Sequence, residues 1–378
     1  MAIIKAAFLC LGVCTTTVLQ AQSNMDFESY EPTPTLKVKQ HPVSKAKFPF
    51  IDVHNHQWSM PQQDLPALLK KMDALNLQVM VNLSGRSYKE SNGKRNGFFD
   101  VNDFAYLKNS LDNINKNGLN RLVVFTNISF VGFGEPQWLP AVLAQLEQDV
   151  RAGACGLKLY KEFGMEFKDE KGNIIAIDDT RLDAVWDKCG ELNIPVLIHS
   201  ADPPSFWQPV DKDNERWLEL TKHPDRIRDA SNPTWHQVIA AQHRMFLKHP
   251  RTKYIAAHFG WYANDLETLG NFLDSAQNVF VEFGAVIAEL GRQPKTARAF
   301  FEKYQDRILF GKDSWVPAEY ATYFRVLETA DEYFPYHKKY HAFWKMYGLG
   351  LPDEILKKVY YKNALKLIPG LDKTLFPQ

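Results

Sequence analysis

The stretch Phe50-Ile51-Asp52-Val53-His54-Asn55-His56 decides how the rest of the chain is read. Ile51 and Val53 alternate with Asp52, His54 and His56, the period of two of a short strand with unlike faces. His54 and His56 then leave its C-terminal end in one direction, their α-carbons roughly 6–7 Å apart. Two neutral imidazoles so placed converge on one cation at bond lengths of about 2.0–2.1 Å. A pair of surface histidines where a strand meets a loop explains the same letters equally well. The later strands decide between the two.

Outward from this stretch the chain alternates short apolar runs with helix-like segments. Strands are expected at Leu77–Leu83, Arg121–Asn127, Gly156–Tyr160, Ile194–His199, Tyr254–His258, Val279–Phe283 and Arg307–Gly311. Helical spacing of apolar residues precedes each, as in Leu65–Leu75 and Leu139–Val150. Eight continuous apolar strands with helices between them predict a parallel α/β sheet covered by helices. The span from His54 to Asp313 matches the ~250 residues of a (β/α)8 TIM barrel, here a single domain over 49–370 with a helical C-terminal extension. An open doubly wound sheet is the alternative, but it calls for a glycine-rich first turn, and here that turn reads His54-Asn55-His56-Gln57.

Residues 1–21 stand apart. Lys5 is the only charge before Asp26, Ala6–Val13 is apolar, and Ala21 closes the segment, the pattern of a secretory signal peptide. The apolar run is shorter than the ~20 residues of a membrane span. A lipoprotein cut at Cys14 is the lesser reading, because Val13 suits it poorly. Export to the periplasm or medium is therefore expected. Residues 22–48, polar and proline-bearing, read as a linker or arm. With 45 basic and 44 acidic side chains, nothing points to nucleic acid or a polybasic membrane patch. A homo-oligomer stays open. Cys155 and Cys189 are expected as buried free thiols, a bridge being the alternative in an oxidising compartment.

The histidines and acids fall in a pattern. His54 and His56 end strand one, His199 strand five, His258 strand six and Asp313 strand eight. Barrel enzymes place their chemistry at these C-terminal ends. His223, His236, His243, His249, His337 and His341 fall in loops, on helices or in the aromatic tail, and are given no role. The long segment from Ser200 to Asn232 is expected to cap the site. Arg216, Arg292 and Trp207 are candidates to grip an anionic or aromatic substrate, although solvated loop arginines are the commoner case.

The ordered set His54-Asn55-His56, Gly156-Leu157-Lys158-Leu159-Tyr160, Val196-Leu197-Ile198-His199, His258-Phe259-Gly260 and Phe310-Gly311-Lys312-Asp313 resembles the amidohydrolase superfamily, in particular its amidohydrolase-2 branch. The resemblance spans about residues 48–320. It implies that His54, His56, His199 and Asp313 bind a divalent metal, and that His258 serves in proton transfer or second-layer control. Some members carry a carboxylated lysine after strand four. Lys158 lies inside the strand, so one metal is expected, with Lys158 as substrate ligand or ion-pair partner. Three imidazoles and a carboxylate suit Zn2+, with Mn2+ as the alternative. Asp313 is expected to bind the metal or take a proton from water, and His258 to steady the oxyanion or protonate the leaving group. The leading expectation is a hydrolase of a C–N or C–O bond in a small molecule. The alternatives are a metal-dependent decarboxylase of an aromatic or unsaturated carboxylic acid and a non-catalytic metal-holding binding protein.

Overall fold

A computed structural model describes residues 32–89, 100–117, 120–338 and 344–377, together with positions 25, 29, 30 and 341. The expected signal segment 1–21 lies outside the described residues. The chain divides into Met1–Thr35 and Leu36–Gln378, and every strand and helix named below belongs to the second unit.

Eight parallel strands appear in chain order: β1 (Phe50–Asn55), β2 (Leu77–Asn82), β3 (Leu122–Val124), β4 (Leu157–Leu159), β5 (Val196–Ile198), β6 (Tyr254–Ala256), β7 (Val279–Glu282) and β8 (Ile308–Leu309). Helices separate them: α1 (Leu65–Leu75), α2 (Phe104–Lys116), α3 (Trp138–Ala152), α4 (Asp183–Glu191), α5 (Trp217–Lys222), α6 (Trp235–Lys248), α7 (Leu266–Ser275), α8 (Ile287–Arg292) and α9 (Pro294–Lys303), with α10 (Tyr320–Glu328) after the last strand. Local chemistry sets the ends. Asp64 caps α1 through the Ala67 N–H, and Asn76 closes it in the left-handed region at φ 68°. Thr234 and Gln237 form a reciprocal capping box on α6. The strands are buried almost throughout; β5 and β6 are accordingly apolar along their length, whereas β1 alternates and buries Asp52, His54 and Asn55 as well.

The architecture is that of a β/α barrel whose strand ladder is interrupted twice. β1–β3 form one parallel sheet and β4–β8 another. Backbone hydrogen bonds cross both gaps. Thr126 N–H donates to the Gly156 carbonyl and Lys158 N–H to the Thr126 carbonyl, each at 2.8 Å. On the other side Val53 N–H meets the Phe310 carbonyl at 2.9 Å and Asp313 N–H the His54 carbonyl at 2.6 Å.

Two expectations need correction. Strand eight was expected over Arg307–Gly311, but only Ile308–Leu309 pairs with β7. The Phe310 N–H is instead taken by the carbonyl of Val359 at 3.1 Å, in the π-helical turn Lys358–Lys362, where widened helical bonding leaves a carbonyl open. The C-terminal extension is not wholly helical either. Phe334–Pro335 and Lys345–Met346 pair as short antiparallel strands. Its aromatics do pack as core: Tyr320, Phe324 and Tyr360 surround Phe50 at the start of β1.

The arm at 36–49 has no regular secondary structure and is tied down by side chains. His41 N–H donates to Asp331 at 2.6 Å and Lys47 N–H to Glu328 at 2.9 Å. Cys155 and Cys189 are both buried and free. Among the described residues no helix is long and apolar enough to cross a membrane.

Candidate metal centre

His54 is the last-but-one residue of β1 and fully buried, as is the whole strand. Its Nδ1 lies 2.8 Å from Glu282 Oε1, so a neutral ring donates there and turns the Nε2 lone pair inward. His56 follows the strand, with Nδ1 2.7 Å from Ser84 Oγ. Asp313 sits in the left-handed region at φ 79°, held by the bond from its N–H to the His54 carbonyl. That turn places Asp313 Oδ1 3.3 Å from His54 Nε2 and 3.8 Å from His56 Nε2. His54, His56 and Asp313 thus offer ligand atoms that all lie within 4.8 Å of one another, and so do His54, His258 and Glu282.

His258 belongs to a turn, not to the strand end: β6 stops at Ala256. His258, Phe259, Gly260 and Trp261 all have φ between 55° and 60°, a left-handed run that costs energy for each residue other than glycine. Glu282 supports it by accepting the His258 N–H at 2.8 Å with Oε1 and the Gly284 N–H at 2.6 Å with Oε2. The turn carries His258 Nδ1 to 2.6 Å from the Gly284 carbonyl. A carbonyl only accepts, so that nitrogen bears the proton and Nε2 is an acceptor. His199 Nδ1, 3.3 Å away, is then the donor to it, which leaves His199 Nε2 as a lone pair. His54 Nε2 and His199 Nε2 are both buried without a hydrogen-bond partner in the protein. The His54 lone pair beside His56 and the Asp313 carboxylate fits a divalent cation, while His199 falls in neither group of mutually close ligand atoms.

Electrostatics agree with that use. Burial, aided by Lys158, lowers His54 to about 3, and burial lowers His258 to about 4. Burial, with His258 next, holds His199 well below the usual histidine range. Burial alone would raise Asp313, but His54, His258, His56 and Lys158 outweigh it and keep the carboxyl ionised. Lys158, the middle residue of β4, is buried with its Nζ unpaired in the protein; burial pushes it down to about 8 against the pull of Asp313 and Glu282. Lys161 turns away and pairs with Asp202 at 2.7 Å.

The three candidates for gripping a substrate are engaged within the protein. Arg216 was a candidate rim cation, but it is buried and donates to Glu219 at 2.8 Å and to Glu289. Arg292 pairs with Glu215 at 3.0 Å and lies on the Trp344 ring. The Trp207 N–H is spent on the Pro233 carbonyl at 2.9 Å. Each thus has partners within the protein, although Arg216 Nε and Arg292 Nε remain without one.

Glu282 is the residue that sequence reading passed over, although the rule that found the histidines applies to it: one acid at the end of an apolar strand, Val279-Phe280-Val281-Glu282. Gly311 leaves it room, since a Cβ there would collide with Glu282 Oε2. Trp58 was also passed over. It stacks on His56 at 5.0 Å and on Tyr160 at 5.9 Å, forming a flat aromatic wall beside the centre.

Residues 51–370 match the family model described as amidohydrolase. No curated protein matches the chain. Among solved structures the fold is similar to 2,6-dihydroxybenzoate decarboxylase from Rhizobium, at 14% identity and a TM-score of 0.50, over 84% of this chain and 98% of that one. It is also similar to a dihydroxybenzoic acid decarboxylase from Polaromonas bearing manganese and 2-nitroresorcinol, at 14% identity and 0.51, over 84% and 96%. Given the match over most of its length and the strand-end cluster that the fold assembles, the chain belongs to the amidohydrolase family of metal-dependent hydrolases and decarboxylases.

Proposed function

We propose that the chain hydrolyses a C–N or C–O bond of a small molecule, with His54, His56, His199 and Asp313 holding one divalent cation. Zn2+ is the favoured ion for three imidazoles and a carboxylate, with Mn2+ next. A cation held there polarises the scissile carbonyl and makes water nucleophilic near neutral pH. Asp313 Oδ1, between His54 and His56, takes the first proton from the attacking water. His258 Nε2 is the second proton site, from which the leaving group is protonated. The Trp58–Tyr160 wall receives the flat face of the substrate.

One observation carries this reading: the 2.6 Å bond from His258 Nδ1 to the Gly284 carbonyl, which makes His258 Nε2 an acceptor. With Asp313 ionised as well, these two groups accept protons from water and have none ready for a ring carbon. Decarboxylation is the second reading, favoured by the aromatic wall and by the fold's similarity to two dihydroxybenzoate decarboxylases. The test is a screen of amides, lactones and aromatic acids in 18O-water. Hydrolysis puts the label in the product, whereas release of carbon dioxide without it overturns the reading. His258→Ala is expected to lose activity by about 10²–10⁴-fold while keeping its metal.

We also propose that the protein is exported, on the strength of the apolar segment before Ala21. Mass spectrometry of the mature N-terminus tests this, and an intact Met1 overturns it.

A further inference from the structure

Side chains just past three different strands form a chain of hydrogen bonds that ends on His56. His56 follows β1, Ser84 lies just beyond β2 and Tyr160 follows β4. His56 Nδ1 lies 2.7 Å from Ser84 Oγ, Ser84 Oγ lies 3.0 Å from the Tyr160 hydroxyl, and that hydroxyl lies 3.1 Å from the Leu83 carbonyl. Backbone bonds fix the middle of the chain. Ser84 N–H donates to Asn82 Oδ1 at 3.0 Å, and Leu83 N–H to the Asn55 carbonyl at 2.9 Å. Ser84 is fully buried. Tyr160 is held by its packing on Trp58 at 5.9 Å and on His56 at 5.6 Å.

The carbonyl at one end sets the direction of every bond. Three contacts link the four groups, and each needs a proton to be a bond and not two lone pairs face to face. Each of the Tyr160 oxygen, Ser84 Oγ and a neutral His56 ring brings one proton. A carbonyl only accepts, so Tyr160 gives its proton to Leu83, whose other lone pair takes the Asn127 amide at 2.9 Å. Tyr160 then has none for Ser84, and the Ser84 hydroxyl donates to it. Ser84 in turn has none for the ring, so the His56 proton stands on Nδ1 and is donated to Ser84 Oγ. Nε2 is left as a lone pair, and this is the atom 3.8 Å from Asp313 Oδ1. His54 reaches the same state through the Glu282 carboxylate. His56 reaches it without a charge, through two hydroxyls that the carbonyl alone keeps pointing one way.

We propose that Ser84 and Tyr160 are positioning residues for the metal centre, a hydroxyl relay that locks His56 in the Nδ1–H tautomer and keeps Nε2 ready for the cation. The proposal rests on the reading of His56 as a metal ligand. The test uses the full chain labelled with 15N-histidine and freed of metal by a chelator. Two-bond 1H–15N correlation spectra show which ring nitrogen bears the proton, and the His56 signals are identified by their loss in His56→Gln. The unsubstituted protein is expected to show His56 protonated on Nδ1. Tyr160→Phe keeps the ring and its packing but frees the Ser84 proton to turn toward His56. It is expected to move His56 toward the Nε2–H form and to weaken Zn2+ binding about three- to tenfold, read by competition with a chelator. Ser84→Ala is expected to weaken Zn2+ binding about 10–100-fold. Because Tyr160 acts only through Ser84, the double variant should match Ser84→Ala within about twofold. Circular dichroism checks folding, and should Ser84→Ala unfold, the Tyr160→Phe spectrum decides. A His56 proton on Nε2 in the unsubstituted protein, an unmoved tautomer in Tyr160→Phe, or losses that multiply in the double variant would each overturn the relay. Failure of the ligand reading appears separately, as Zn2+ affinity unchanged in His56→Gln, and leaves the tautomer spectra to decide the relay.

Discussion

At the level of single residues the centre depends on Glu282 more than on any group apart from the ligands themselves. Its carboxylate receives the His54 ring N–H and the His258 and Gly284 backbone N–H groups. Burial raises its pKa, and these bonds, together with the attraction of His258, work to keep it ionised. It fixes the tautomer of one histidine and the backbone of another, so both depend on one side chain. Glu282→Gln keeps the volume but presents an amide where two donors converge on Oε1. Metal affinity is expected to fall about 10–100-fold, read by competition with a chelator. Unchanged affinity would mean that His54 is oriented by packing alone. The contrast with Arg216 belongs to this scale as well. A loop arginine reads as a solvated or substrate-binding cation, and only coordinates show it closed off by Glu219 and Glu289.

Among the elements, the seam between β8 and β1 does the most for the site. Asp52, fully buried on β1, accepts the His54 N–H and the Lys312 N–H, each at 3.1 Å, the Asn55 amide at 2.8 Å and the Tyr320 hydroxyl at 2.6 Å. It thereby ties the strand of His54 to the loop of Asp313 and to α10. Burial raises this carboxyl to about 6, against the pull of the Tyr320 and Asn55 bonds. Tyr320→Phe removes the shortest of them and is expected to destabilise the fold by about 1.5–3 kcal/mol, measured by urea unfolding, because the bond goes to a buried carboxylate. A change below about 0.5 kcal/mol would show that Asp52 is held by its backbone donors. The strands themselves were legible because both faces are buried and their apolar runs are continuous. The shortening of β8 was not, because it depends on a π turn some fifty residues later offering a carbonyl to Phe310.

For the molecule as a whole, the buried histidines set how stability varies with pH. In the unfolded chain they take protons near 6.5; in the metal-free fold His54 does so near about 3, and His258, His243 and His337 near about 4. Their contribution is therefore complete above 6.5 and is lost as pH falls toward those lower values. Asp52 has the opposite sign: raised from 3.8 to about 6, it contributes fully below 3.8 and loses that contribution as pH rises through 6. The lowered histidines, with His56, His199 and His341 among them, outnumber the raised carboxyls of Asp52, Glu282 and Glu328, so the Tm of chelator-treated protein should fall between about pH 7 and about pH 5. With metal bound the fall should be steeper, since protons compete for the ligand nitrogens. A flat profile would contradict the burial of these rings. The order of strands and helices and the places of His54, His56 and His199 at or just past their strands could be read from the letters alone, because periodicity and residue type are local properties. That Glu282 joins His54 to His258, that a left-handed turn presents His258, and that Arg216 pairs with Glu219 and Glu289 follows from the folded chain. Each of those depends on groups far apart along the chain meeting at one hydrogen-bond distance, and no local pattern encodes that.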